Sequence, residues 1–457
     1  MEYKKEIFKA YDIRGVYPEE INEEVIQKVA LAYLNLLSKK CRKPANELKV
    51  AVGRDNRLSS EPLAKEVIQT FLKYGVRVID LDLVSVNDIY FAVGHYQFDG
   101  GLMITASHNP PEYGGCKMVI FNYGDNTINF VSGQEIYGEL KVFNPDSFQL
   151  ASGDLVKKDI RDDHLKHILS FVDFGKIQSF KIVVDTGNGM NGLLVPKIFE
   201  TIKVDFIPLF QELDGKFPNR PPNPLSEGAS DKAGNKIKET SSDFGIIFDV
   251  DGDRMFLIDE KGQLIRGDMV LLLLAKSILA KQPGAGIAYN LICSKAVPEL
   301  ITKWGGRPIR SEVGYRHLAR HMKEKNGLMS GEVSGHFAFK DNYYADSSFI
   351  AMVLALETIS TDGRKLSEII KDYQLYKRGD EINLQVDNIE TKLAIIRNSY
   401  RNNIKDEIDG ITVEFSDWWF NIRPSNTEPL LRITVEAQSK AALKKHQQEI
   451  LDIINHK

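Results

Sequence analysis

Apolar positions along this chain recur in blocks that read strand, helix, strand. Leu48–Val52 is a short β-rich run. Ser59 or Ser60 can cap a following helix that carries Pro62 in its first turn. Leu63, Val67, Ile68, Phe71 and Leu72 give that helix one apolar face. Gly75 ends it, and Val76–Leu81 returns as a strand. The same order recurs from Phe180–Val184 through a helix near Leu193–Ile202 to Val204–Leu209. It recurs again from Ile287–Asn290 through a helix near Ala296–Trp304 to Arg307–Arg310. Repeated crossovers predict parallel-rich sheets covered by helices, with ligands at the carboxyl ends of the strands. The last eighty or so residues change pattern. A strand at Glu381–Val386 and a helix near Glu390–Asn403 precede strands Ile411–Phe415, Trp418–Arg423 and Leu430–Glu436. Ser416-Asp417 reads as a tight hairpin turn, and a final helix runs near Lys440–Ile454. Boundaries are expected near residues 150, 262 and 368, giving segments 1–150, 151–262, 263–368 and 369–457.

Length and composition narrow the classes. A chain of 457 residues implies several domains, and 43% hydrophobic with 27% charged residues excludes wholesale disorder. With 59 Lys plus Arg against 63 Asp plus Glu, the net charge of −4 gives no sign of a nucleic-acid partner. The longest apolar runs, Met269–Ala275 and Phe349–Leu356, are about half a membrane span and read as buried helix faces. Met1–Ala10 carries no apolar core of a signal peptide. The three cysteines, Cys41, Cys116 and Cys293, are widely spaced. They fit reduced thiols in a cytoplasmic protein.

Four loops carry candidate chemistry. Thr105-Ala106-Ser107-His108-Asn109-Pro110-Pro111 follows the apolar stretch Gly101–Ile104. Ser107 there is either a nucleophile or phosphoryl carrier, or a turn residue before a Pro-Pro stop. Asp249-Val250-Asp251-Gly252-Asp253-Arg254 directly follows Phe244–Phe248. Its alternating carboxylates converge on a hard divalent cation or form a solvated acidic turn. An EF-hand is disfavoured, because Arg254 stands where the sharp turn needs glycine and a strand precedes the loop. Gly331-Glu332-Val333-Ser334-Gly335-His336 offers groups that hydrogen-bond sugar hydroxyls, or is an ordinary polar turn. Arg423-Pro424-Ser425-Asn426-Thr427-Glu428-Pro429 suits a phosphate dianion, or is a strand connection with Arg423 in solvent. Taken together, the loops supply a phosphorylatable hydroxyl, a metal, a polyol site and a phosphate site, which are the complementary parts of one phosphosugar reaction.

On Ala10-Tyr11-Asp12-Ile13-Arg14-Gly15 and these four loops, in this order, the chain resembles the α-D-phosphohexomutases, in their phosphomannomutase/phosphoglucomutase branch. The resemblance covers essentially the whole chain. It implies an α/β protein of four domains around a central cleft. Three would be mixed α/β domains of similar topology, and the fourth an α+β, TATA-binding-protein-like domain. It implies reversible interconversion of hexose 1-phosphate and hexose 6-phosphate, with mannose and/or glucose, through an active-site phosphoserine and a hexose 1,6-bisphosphate. That bisphosphate would also be an activator. By position, Ser107 would carry the phosphoryl group, and Asp249, Asp251 and Asp253 would hold Mg²⁺ together with it. Arg254 matches the arginine beside the metal loop. Glu332 and Ser334 match sugar-binding residues, and Arg423, Ser425, Asn426 and Thr427 the phosphate loop. Tyr11 and Arg14 match cleft-lining residues. Lys117, His108 and His336 are the candidates for proton handling. The implied partner is a small phosphosugar, with no nucleic acid and no membrane; no oligomeric state is implied. Tyr315 and Ile292 depart from the frequent His and Lys of the third domain, which bears on the preferred sugar. The alternatives are a phosphoglucosamine mutase and a metal-dependent sugar phosphatase.

Overall fold

The computed structural model describes residues 3–142, 149–425 and 430–455. The chain divides into two units, residues 1–266 with 334–367, and residues 267–333 with 368–457.

In the first unit, a seven-stranded sheet is built around Lys49–Arg54, which pairs in parallel with both Arg77–Leu83 and Gly100–Ile104. Tyr113–Asn122 lies antiparallel to Gly100–Ile104, and Ile13–Val16 antiparallel to Tyr113–Asn122. Strand alternation sends Val50, Val52, Leu102 and Ile104 into one core with helices Glu23–Cys41 and Ser60–Lys73. Ala51, Met103 and Val119 enter the opposite core, with helix Val86–Tyr96. Ser59 and Ser60 do not cap the helix at Ser60. The Ser59 hydroxyl donates to the Tyr113 carbonyl and the Ser60 hydroxyl to Asp55. Gly75 does end that helix, with a left-handed φ of 81°. The second sheet has the order Met255–Ile258, Phe244–Phe248, Lys181–Asp185, Asp205–Leu209, with its last three strands parallel. The hairpin Phe337–Phe339 with Ala345–Asp346 and the buried helix Ser348–Asp362 complete this unit.

In the second unit, Gly286–Asn290 runs parallel to Arg307–Ser311 and Gly327–Gly331. Its helix Gly267–Lys281 buries the run Met269–Ala275. The C-terminal sheet has six strands, with Trp418–Pro424 between Ile411–Glu414 and Leu430–Ala437, all antiparallel. Helices Ile389–Ser399 and Lys440–Asn455 share its core through Leu393, Ile396, Ile450 and Ile454. The Phe415 N–H donates to the Trp418 carbonyl across Ser416-Asp417, the expected hairpin turn. Among the described residues, no helix is long and apolar enough to cross a membrane. All three cysteines are unbridged.

Candidate active site

The three aspartates sit where strand Phe244–Phe248 ends, and each is almost fully buried. One oxygen from each carboxylate lies within 4.8 Å of the other two. Gly252 turns the loop with φ 87°. The Gly252 and Arg254 N–H groups both donate to Asp249 Oδ1, at 3.1 Å each. Lys117, on strand Tyr113–Asn122, reaches in with Nζ 2.6 Å from Asp251 Oδ2 and also donates to Asp253. The Arg254 guanidinium stands 3.3 Å from Asp249 Oδ2. Burial, then the neighbouring Asp251 and Asp253 carboxylates, push Asp249 well above the usual carboxylate range. Burial also raises Asp253, but Lys117 and His336 outweigh it and hold that group well below its usual range. Asp249 Oδ2, Asp251 Oδ1 and Asp253 Oδ1 are buried without a hydrogen-bond partner. Such oxygens are costly unless something binds them. Three carboxylates outnumber the two cations beside them, and their unpartnered oxygens are the hard donors a divalent ion takes, so the residues present fit a metal. A solvated acidic turn is excluded by the burial.

Ser107 lies just past strand Gly100–Ile104. It is buried and adopts a left-handed φ of 52°. A non-glycine residue in that region needs surrounding structure to hold it. Arg57 provides this. Its buried guanidinium donates to the carbonyls of Ser107, Asn109 and Pro110, while Asp55 accepts from Nε at 3.1 Å. The Ser107 N–H donates to Thr105 Oγ1 at 2.9 Å. Arg14, doubly bonded to Asp12, donates to Asn109 Oδ1 at 2.9 Å and ties the first strand to the same loop. Tyr11 is half-buried in the turn before that strand.

His108 Nδ1 is 3.1 Å from Ser107 Oγ, and the Arg254 guanidinium contacts its ring. Desolvation, then Arg254, Arg14 and Lys117, push His108 well below the ordinary imidazole range, so it is neutral near pH 7. His336 pairs backbone-to-backbone with Arg254. Its Nε2 is 3.5 Å from Asp253 Oδ1, and its Nδ1 is 2.9 Å from Ser334 Oγ. Thus Ser107, His108, Lys117, Arg254, Ser334, His336, Arg14 and the aspartates all belong to the first unit.

Tyr11 is in the first unit too, whereas Glu332, Arg423 and Ser425 lie in the second. Glu332 is buried and accepts from Asn290 Nδ2 at 2.8 Å. Arg423 is also buried, so the reading that leaves it in solvent is wrong: it lies within the C-terminal sheet, in register with Arg432 and bonded to Glu381. Glu381 accepts from Arg423 and Arg432, at 3.3 Å each, leaving that trio with one positive charge in excess. The Ser425 N–H donates to the Leu430 carbonyl. Asn426 and Thr427 lie outside the described residues. Tyr315 opens helix Tyr315–Glu324, and Ile292 is buried with its carbonyl accepting from Arg378.

Sequence reasoning missed Arg57, although the Asp55-Asn56-Arg57 triplet at the carboxyl end of Lys49–Arg54 was a legible signal. It also missed the buried polar residues Asn87, Asn191 and Ser348, which bond to one another or to the aspartate loop. Nothing in their local sequence marks them.

Comparison with known proteins bears on what this arrangement is. Residues 5–131, 162–262 and 266–376 match the alpha/beta/alpha domains I, II and III of phosphoglucomutase/phosphomannomutase, and residues 381–453 match its C-terminal domain. A phosphohexose mutase of Xanthomonas campestris is 34% identical, over 95% of this chain and 96% of that protein. A phosphomannomutase of Salmonella montevideo is 33% identical, over 98% of both chains. A crystal structure of a phosphoglucomutase/phosphomannomutase family protein from Burkholderia thailandensis superposes with a TM-score of 0.87 at 28% identity, covering 99% of this chain and 98% of that one. The chain belongs to the phosphoglucomutase/phosphomannomutase family of phosphohexomutase isomerases.

Proposed function

We propose that the protein interconverts the 1-phosphate and 6-phosphate of mannose and/or of glucose through a phosphoserine at Ser107 and a hexose 1,6-bisphosphate, which also serves as activator. The observation that carries this reading is a buried aspartate triad with three unsatisfied oxygens, in the same unit as a clamped, strained serine. Asp249, Asp251 and Asp253, with Ser107, would hold Mg²⁺, which when bound neutralises charge on the transferring phosphoryl group.

The chain's own residues do the rest. Arg57 fixes the Ser107 loop, so the phosphoryl group is presented in one orientation. Lys117 bonds two of the three carboxylates and offsets one of their charges, which lessens the repulsion of a phosphate dianion. His108, His336 and Lys117 are the candidates for proton handling: an imidazole would take the proton of the attacking sugar hydroxyl, while Lys117, as a cation, would only donate. Glu332 and Ser334 hold sugar hydroxyls. Arg423, Ser425, Asn426 and Thr427 grip the phosphate that is not being transferred, and Tyr11 and Arg14 also bind the substrate. Segments 1–150, 151–262, 263–368 and 369–457 then supply the serine, the metal, the sugar contacts and the phosphate contacts. The unbridged cysteines suit a cytoplasmic setting.

The test is turnover before and after chelation, with inorganic phosphate measured alongside. The reading expects isomerisation that is lost on chelation, restored by Mg²⁺ and restored poorly by Zn²⁺, because the donors are all oxygen. Full activity after chelation, or stoichiometric release of phosphate without isomerisation, would overturn it.

A further inference from the structure

Three buried side chains from three separate segments meet at one peptide of the aspartate loop. Asn87, in helix Val86–Tyr96, donates from Nδ2 to the Gly252 carbonyl at 2.5 Å. Ser348, at the start of helix Ser348–Asp362, donates from Oγ to the same oxygen at 2.6 Å. Asn191 donates from Nδ2 to that carbonyl at 3.3 Å and to Ser348 Oγ at 3.1 Å. All three are 0% exposed. The Ser348 N–H donates to Asn87 Oδ1 at 3.1 Å, which orients the amide so that its Nδ2 faces Gly252.

The neighbouring peptides are held from outside as well. The Val86 N–H donates to the Asp251 carbonyl at 3.0 Å, and the Met190 N–H to the Val250 carbonyl at 2.8 Å. Three consecutive carbonyls, at residues 250, 251 and 252, therefore face fixed donors. On the opposite side the Gly252 and Arg254 N–H groups face Asp249 Oδ1. A Cβ on Gly252 would lie 2.1 Å from Asn191 Oδ1, so the hub is packed directly against the turn. The direction of each aspartate side chain follows from its backbone, and here every peptide plane between Val250 and Asp253 is pinned.

We propose that Asn87, Asn191 and Ser348 are positioning residues for a divalent cation: they aim the Asp251 and Asp253 carboxylates by clamping the Gly252 carbonyl. This rests on the metal reading above. Each lost clamp lets the Gly252 peptide rotate, and supporting partners of this kind are worth about 10–100-fold in metal affinity.

The experiment measures Mn²⁺ binding to the purified full-length protein, from the electron paramagnetic resonance signal of free Mn²⁺. It compares wild type with Ser348→Ala, Asn191→Ala and Asn87→Ala, and follows thermal unfolding without metal. Substrate KM is measured at saturating metal. Ser348→Ala removes a single hydroxyl and is the mildest change. Wild type is expected to bind one Mn²⁺ that Asp251→Asn abolishes. Ser348→Ala and Asn191→Ala are expected to bind it about 10–100-fold more weakly, with KM for the sugar phosphate within about twofold. Variants that fold and bind Mn²⁺ within about threefold of wild type would overturn the positioning role alone. Wild type that binds no Mn²⁺ would overturn the metal reading with it. Loss of a cooperative melt in all three variants would make the hub structural and also refute the proposal.

Discussion

Arg57 offers the sharpest mutational test of how the Ser107 loop is held. Its side chain is 0% exposed and spends its donors on the Ser107, Asn109 and Pro110 carbonyls and on Asp55. The guanidinium also lies 5.0 Å from the centroid of the Phe217 ring. Arg57→Ala leaves the buried Asp55 carboxylate with the Ser60 hydroxyl but without its cation, and releases three carbonyls at once. Breaking a buried pair from one side costs about 3–5 kcal/mol. Summing the separate hydrogen bonds would overshoot this, because water enters the space left behind and satisfies some carbonyls. For a unit of this size that cost lowers Tm by roughly 6–10 °C. The functional loss should be larger than the loss of stability suggests. The left-handed Ser107 backbone relaxes when its clamp goes, and a misplacement of about 1 Å costs on the order of a hundredfold in kcat. Arg57→Lys keeps the charge but cannot span three carbonyls, so it should recover stability in part and kcat little. Calorimetry and steady-state kinetics at a temperature where both variants remain folded separate the two effects. A Tm within about 2 °C of wild type together with kcat within about threefold would refute this role for Arg57.

Arg423→Ala should raise KM by about tenfold to a hundredfold for both 1- and 6-phosphates, since a charge-assisted bond to a dianion is worth roughly 1.5–3 kcal/mol; an unchanged KM for both removes Arg423 from the site. His167, packed against Phe91, Phe171 and Tyr343, is pushed down to about 4 by desolvation. Its neutral form therefore stabilises the fold fully above the ordinary imidazole pKa of about 6.5, and that contribution is lost as pH falls through about 4. After discounting for partial exposure, wild type should lose roughly 2 kcal/mol relative to His167→Gln between about pH 7 and pH 4.5 in denaturant titrations; parallel pH profiles would contradict this. For substrate choice, kcat/KM should be high for mannose 1-phosphate and glucose 1-phosphate and much lower for glucosamine 1-phosphate; a glucosamine value above both others would place the chain in the phosphoglucosamine branch.

What could be read from the sequence follows from which interactions are local. Strand ends are local, so the loops after Gly100–Ile104 and Phe244–Phe248 were legible as candidate sites. The two-residue turn at Ser416-Asp417 is local too. Partners distant in the chain were not legible. Arg57 works through carbonyls about fifty residues away, and the Asn87–Gly252 bond spans 165 residues. Ser59 and Ser60 look like caps only until Tyr113 and Asp55 compete for their hydroxyls. Arg423 allowed a solvent reading because nothing nearby shows that Glu381 and Arg432 share its surroundings. The helix Ser348–Asp362 is apolar nearly all round. Its pattern predicts burial but not that residues 334–367 belong with the first 266.

The central claim is that Ser107 carries the phosphoryl group, and the direct measurement is the mass of the purified protein with a peptide map. One phosphoryl group should sit on Ser107, leave when a hexose phosphate is added, and return during turnover, while Ser107→Ala should fold normally and lose several orders of magnitude in kcat. A protein that isomerises hexose phosphates with Ser107 unmodified throughout, or a Ser107→Ala variant within about tenfold of wild type, would contradict the account.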